Sequence, residues 1–186
     1  MFFVGIDPSY TRTGVGLLLR RLNFPTESVS KKEFLSTVFS ESRSVGNFDI
    51  SNCLKNSEYI SNHVFDIILN YHKLTSGQII PVVEYPVIAT FAGPYLMLIQ
   101  PKLHTYFQKL YNLGVIPYYY LVPSAAIPSL LKTKKIVKSE LVKKTKELLK
   151  IEKKVNHDEA SALLIAYMGY LIDKGKYKNK YYKIEF

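Results

Sequence analysis

The chain has 186 residues, which suits one domain with a sizeable core, and its 47% apolar and 22% charged content excludes a disordered or fibrous protein. With 25 Lys and Arg against 15 Asp and Glu the net charge is +10, which favours a polyanionic partner, nucleic acid foremost. The single Cys53 excludes an intrachain disulfide framework, no basic segment precedes an apolar run at the start, and the longest apolar run, 162–172, is too short for a bilayer. These features predict a soluble, intracellular protein without a membrane partner, in the host cytoplasm if the chain is viral or bacterial.

Residues 2–8 and 13–21 read as the two strands of an antiparallel hairpin. The first strand is an apolar run ending in Asp7, followed by the turn-former Pro8; the second begins at Thr13-Gly14. A loop containing Asn23, Pro25 and Ser28 leads to a third strand at 33–40, with Phe34, Val38 and Phe39 apolar. After a serine-rich loop at 41–47, residues 48–74 read as a long helix: Ile50, Leu54, Ile60, Val64, Ile67 and Ile68 recur at helical spacing until Thr75-Ser76-Gly77 stops it. Residues 78–84 form a buried strand in which Pro81 suggests a bulge or a less central place.

A turn at Ala92-Gly93-Pro94 precedes a helix over 95–113, with Leu96, Ile99, Leu103, Phe107 and Leu110 on one face and Pro101 kinking or restarting it. Gly114 caps this helix, and 115–122 is a tyrosine-rich strand in which Tyr118, Tyr119 and Tyr120 are expected to pack rather than bind bases. Residues 123–131 are irregular or one helical turn. A basic region, 132–154, contains a helix over 139–151 that buries Leu141, Val142, Leu148 and Leu149. The last helix spans 157–174, and the basic tail 175–186 forms an arm or a final strand. This order predicts a single α/β domain over 1–186, with a mixed five-stranded sheet of three antiparallel and then parallel strands, flanked by helices.

Three acids stand at the ends of core elements: Asp7 after the first strand, Glu84 after the fourth, and Asp158 at the start of the last helix. A buried carboxylate costs several kcal/mol unless hydrogen bonds or a cation compensate it. Three of them on rigid elements suit a site for two divalent cations about 4 Å apart. Each has a plainer alternative: a turn cap for Asp7, a strand-end surface acid for Glu84, and a first-turn helix acid for Asp158.

In the order Gly5-Ile6-Asp7-Pro8-Ser9…Thr13-Gly14, Val83-Glu84-Tyr85-Pro86, Lys138-Ser139-Glu140-Leu141-Val142 and Asp158-Glu159-Ala160-Ser161-Ala162, the chain resembles the RuvC family of Holliday junction resolvases, within the ribonuclease H-like superfamily. The likeness spans nearly the whole chain. Each motif alone is weak and the ordered set fairly specific; such divergence fits a chain carried by a virus or mobile element.

The resemblance implies a ribonuclease H-like fold and a homodimeric, metal-dependent endonuclease that makes paired symmetric nicks in four-way DNA junctions. It implies Asp7, Glu84 and Asp158 as catalytic ligands of two Mg²⁺ or Mn²⁺ ions, with Asp7 bridging. The chain departs from the family where a second acid is expected on the last helix: that position falls on Ser161, with His157 and Glu159 as nearby alternatives.

Lys132, Lys134, Lys135 and Lys138 are candidate phosphate contacts or a solvated lysine-rich face. Phe91 is either a stacking wedge for an opened junction or a core residue beside a turn. The functional alternatives are a junction-binding protein whose chemistry is lost through Ser161, or a same-fold nuclease for other branched DNA or RNA–DNA hybrids. An actin-like phosphotransferase is disfavoured because the chain is too short for its second domain.

Overall fold

The computed structural model describes residues 1–8, 12–18, 34–40, 50–85, 97–133, 137–151 and 154–186, with 12, 34–40 and 50–52 described by backbone alone. The elements in chain order are β1 (Phe2–Asp7), β2 (Arg12–Leu18), β3 (Phe34–Ser40), α1 (Ile50–Thr75), β4 (Ile79–Tyr85), α2 (Ile99–Asn112), β5 (Tyr119–Pro123), α3 (Ala126–Leu130), α4 (Lys138–Leu149), α5 (His157–Asp173) and β6 (Tyr182–Ile184). The strands form one mixed sheet in the order β3-β2-β1-β4-β5-β6. β1, β2 and β3 pair antiparallel, and β4 and β5 continue parallel from β1.

The five expected strands are joined by a sixth. The tail returns as β6, antiparallel to β5, with Leu121 opposite Tyr182 and Tyr119 opposite Ile184. Phe186 then packs its ring against His104, Tyr111 and Tyr119.

Strand alternation divides the core into two layers. Val4, Ile6, Val15, Leu17, Ile79 and Val83 face α1 and α2. Phe3, Leu18, Ile80, Val82, Tyr120 and Val122 face α5, with α4 packed outside it. α5 is apolar nearly all round, as a helix sandwiched between a sheet and another helix must be: Ala160 through Ala166 are all buried.

Several boundaries differ from the sequence expectation for identifiable reasons. Residues 115–118 do not join β5: the Val115 N–H bonds back to the Leu110 carbonyl, and Pro117 has no N–H to donate. Pro101 does not kink a helix but sits in the first turn of α2, where N–H groups have no intrahelical partner anyway. Pro81 lies in a central strand; it precedes the first β4–β5 pair, Val82 with Tyr120. Residues 126–130 form the expected single turn, and Tyr119 and Tyr120 are buried as packing residues. Among the described residues no helix is long and apolar enough to cross a membrane.

Candidate active site

Asp7 is the last residue of β1, and Glu84 lies one residue before the end of β4. The parallel register runs Gly5 with Val82 and Ile6 with Val83, so the next step along it sets Asp7 beside Glu84. By alternation both carboxyls project from the face covered by α5. Their side chains hydrogen-bond to each other, and Ser161 of α5 hydrogen-bonds to Asp7 through its hydroxyl.

This arrangement governs protonation. Burial pushes the Asp7 carboxyl up; the bonds from Glu84 and Ser161 hold it back, and the Asp158 charge adds to the upward shift. Glu84 is pushed well above the ordinary carboxylate range, first by burial and then by the Asp7 charge and hydrogen bond. The pair therefore keeps its proton to higher pH than a solvated pair would, with Glu84 the member pushed further toward the protonated form. A hard divalent cation with oxygen ligands replaces such a proton naturally.

The last helix completes the site. Asn156 caps α5: its Oδ1 accepts from the Glu159 N–H at 2.9 Å, and the Glu159 Oε2 accepts from the Asn156 N–H at 2.8 Å. This capping box fixes the helix start and commits Glu159 to it, which argues against Glu159 as a ligand. Asp158 follows as a first-turn residue, not as the cap. Its Oδ1 lies 3.3 Å from His157 Nδ1, and both side chains are partly buried. Ser161, one turn on, is 3% exposed.

What allows the helix this close is glycine. A Cβ on Gly5 would lie 1.9 Å from the Ala162 carbonyl oxygen, and one on Gly14 would lie 2.2 Å from the Asp158 carbonyl oxygen. Gly14 pairs with Asp7 and Gly16 with Gly5, so the floor beneath α5 is stripped of side chains beside the carboxylates. Gly5 and Gly14 belong to the recognised motif, but its spacing alone did not disclose this packing role. The legible signal was the facing set of small residues: Gly5, Gly14 and Gly16 on the hairpin, and Ala162 and Ala166 one turn apart on the helix. The capping box was legible too, in the Asn156-x-x-Glu159 spacing.

The structure thus gathers Asp7, Glu84 and Ser161 by direct hydrogen bonds, with Asp158 and His157 near enough to act on Asp7 through their charges. Among the described residues no three His, Cys, Asp or Glu side chains converge into a ready cage for a metal. Asp7 instead hydrogen-bonds with Glu84, and Asp158 lies beside His157. The donor set fits a hard cation at Asp7 and Glu84, with Asp158 and Ser161 on the adjacent helix turn.

Of the candidate DNA contacts, Lys132 is exposed on the turn after α3 and Lys138 is the exposed first residue of α4. Lys134, Lys135 and Phe91 lie outside the described residues. Gln100, at the start of α2, approaches the Glu84 carbonyl through Nε2 at 3.4 Å and ties the end of β4 to that helix.

The fold matches solved structures of RuvC from Thermus thermophilus. One is matched at TM-score 0.63 and 17% identity, over 96% of this chain and 99% of that one. RuvC from the same organism in complex with Holliday junction substrate is matched at TM-score 0.62 and 16% identity, again over 96% and 99%. No family profile and no curated protein matches the sequence. The chain therefore has a RuvC-like fold over nearly its whole length.

Proposed function

We propose that the protein is a divalent-metal-dependent endonuclease that resolves four-way DNA junctions by paired nicks. The observation that carries this reading is the hydrogen-bonded Asp7–Glu84 pair at the edge of a RuvC-like sheet, with Ser161 and Asp158 brought against it by the last helix. The net charge of +10 supports a nucleic-acid substrate, and one matched neighbour is a complex with a Holliday junction.

Asp7, Glu84 and Asp158 would hold Mg²⁺ or Mn²⁺. Bound there, the cations would supply charge neutralisation at the phosphodiester and activation of the attacking water. The chain's own residues prepare the site. Asp7 sits on a central strand and is oriented by the Ser161 hydroxyl, which donates to its carboxylate. Glu84, held toward its protonated form by burial and by Asp7, would have to be ionised to hold a cation. The Asn156–Glu159 capping box keeps Asp158 at a fixed position on the helix. Lys132, Lys134, Lys135 and Lys138 would neutralise phosphates along the arms, and Phe91 would stack at the opened junction centre. Two symmetric nicks require two copies of the site, and hence a homodimer on one junction.

A second reading is favoured by Ser161 itself. A hydroxyl stands where the family places another metal ligand, and a neutral hydroxyl binds Mg²⁺ more weakly than a carboxylate does. On that reading the protein grips junctions without cutting them. Junction binding and cutting by Glu84→Gln, compared with the wild type in Mg²⁺, test the proposal. Retained binding with lost nicking supports it, whereas equal nicking by both proteins removes Glu84 from the chemistry.

A further inference from the structure

The segment that closes the sheet has no part in the site so far. From Lys174 to Ile184 it carries Lys174, Lys176, Lys178, Lys180 and Lys183 and no acid. Exposure alternates along it: Lys176, Lys178 and Lys180 are exposed, while Tyr177 and Asn179 between them are partly buried. Tyr177 anchors the segment against the core around α5, its hydroxyl 3.9 Å from Met168 Sδ. Asn179 anchors it to α3, where the Ser129 hydroxyl lies 3.2 Å from Asn179 Oδ1. The Ser129 carbonyl also accepts the Lys132 N–H at 3.2 Å, so one residue ties the segment to the turn that carries Lys132.

The strand register then locates the tip. Tyr182 pairs with Leu121, and the next residue of β5, Val122, pairs with Glu84. Continuing the register puts Tyr181 opposite Val122, two strands and roughly 10 Å from Glu84 on the same sheet face, whereas Tyr182 takes the other face of this edge strand. Because β6 is antiparallel to β5, Lys180 and Tyr181 precede it toward the edge that bears the carboxylates. Tyr181 and Tyr182 remain 40% and 45% exposed. Tyr181 is braced edge-on against Tyr120, with ring centroids 5.7 Å apart, and Lys180 Nζ lies 5.0 Å from the Tyr182 ring centroid. Cations for phosphates beside braced, exposed rings for bases or sugars are the chemistry that holds a nucleic-acid strand. An anionic membrane would use the charge but not the position beside the carboxylates.

We propose that Lys178, Lys180, Tyr181 and Tyr182 form a second nucleic-acid contact, continuous with Lys132, that grips an arm or a single strand of the substrate beside the carboxylate site. The proposal rests on the nucleic-acid reading of that site but not on its cutting activity. The test is fluorescence anisotropy of the full chain with a labelled four-way junction and a labelled single strand, across a salt series in EDTA.

Replacing Lys178 and Lys180 together by Gln should flatten the log–log salt slope on the junction by about 1.8, the share of two phosphate contacts. Replacing Tyr181 and Tyr182 by Ala should weaken single-strand binding at least about fivefold with the slope unchanged, and replacing them by Phe should restore it. The lysine variant keeps the packing residues intact, so it reads binding even if the Ala variant unfolds. Wild-type affinity and slope in the lysine variant overturn the proposal. Lost binding of that variant to anionic phospholipid vesicles, with DNA binding intact, overturns it in favour of a lipid surface. A parallel cutting assay in Mg²⁺ separates the two readings. Slope loss without nicking by the wild type keeps this contact and removes the nuclease, and nicking with an unchanged slope does the reverse.

Discussion

Gly5→Ala tests whether the close approach of α5 builds the site. The added methyl would stand 1.9 Å from the Ala162 carbonyl oxygen and 2.4 Å from the Ala166 nitrogen, both backbone atoms that no rotamer change can move aside. To reach ordinary contact at 3.4 Å the helix must retreat by about 1.5 Å. Overpacking against side chains costs about 1–3 kcal/mol, and a clash with backbone belongs at the upper end or beyond. At about 2–4 °C per kcal/mol for a chain of this size, the melting temperature should fall by roughly 6–12 °C. The same retreat carries Ser161 and Asp158 away from Asp7, and a misplacement of about 1 Å can cost on the order of 100-fold in rate. Thermal denaturation followed by circular dichroism reads the first effect, and metal-dependent cutting of a labelled junction well below the variant's melting point reads the second. A variant that melts and cuts like the wild type would refute the claim that α5 must touch the bare floor of β1.

Further expectations follow from the carboxylate cluster. Asp7→Asn should abolish metal-dependent cutting and leave junction binding intact; cutting at the wild-type rate would remove Asp7 from the chemistry. Asp7 and Glu84 are both pushed up on folding, so their protonated forms stabilise the fold: that contribution is full below the ordinary carboxylate range, about pH 4, and is lost as pH rises through the raised values. The rise in melting temperature on adding Mg²⁺ or Mn²⁺ should therefore be larger at pH 8 than at pH 5, and equal rises would count against binding at this pair. Ser161→Asp should lower the metal-free melting point, because it buries a further carboxylate beside Asp7, and should tighten Mn²⁺ binding measured by calorimetry; unchanged affinity would move the remaining ligand to His157.

The sheet was legible in the sequence because its signals are local. Apolar runs ending in Asp7 and Glu84, the long periodic stretch of α1 and the cluster opening α5 each report their own element. The sixth strand was only half legible: Lys alternates with Tyr or Asn over 176–181 without the apolar run that marks a buried strand, and its pairing depends on β5. The start of β5 was misjudged because Val115 and Ile116 are apolar and buried, as a strand would be, yet their place is set by the end of α2 and by Pro117. At the site, the acids announce themselves by position, but which of them touch does not. That depends on a register between β1 and β4 and on a helix resting on Gly5 and Gly14, contacts between residues far apart in the chain. The commitment of Glu159 to the cap follows from a spacing of three and was open to reading beforehand.

The central claim is that these carboxylates cut branched DNA with divalent metal. It is tested most directly by incubating the wild-type protein with a labelled synthetic four-way junction, beside matched duplex and flap, in Mg²⁺, Mn²⁺ or EDTA. The account predicts paired symmetric nicks in the junction that require metal and vanish in EDTA. Tight junction binding with no nick under either metal, or cutting that persists in EDTA, would contradict it.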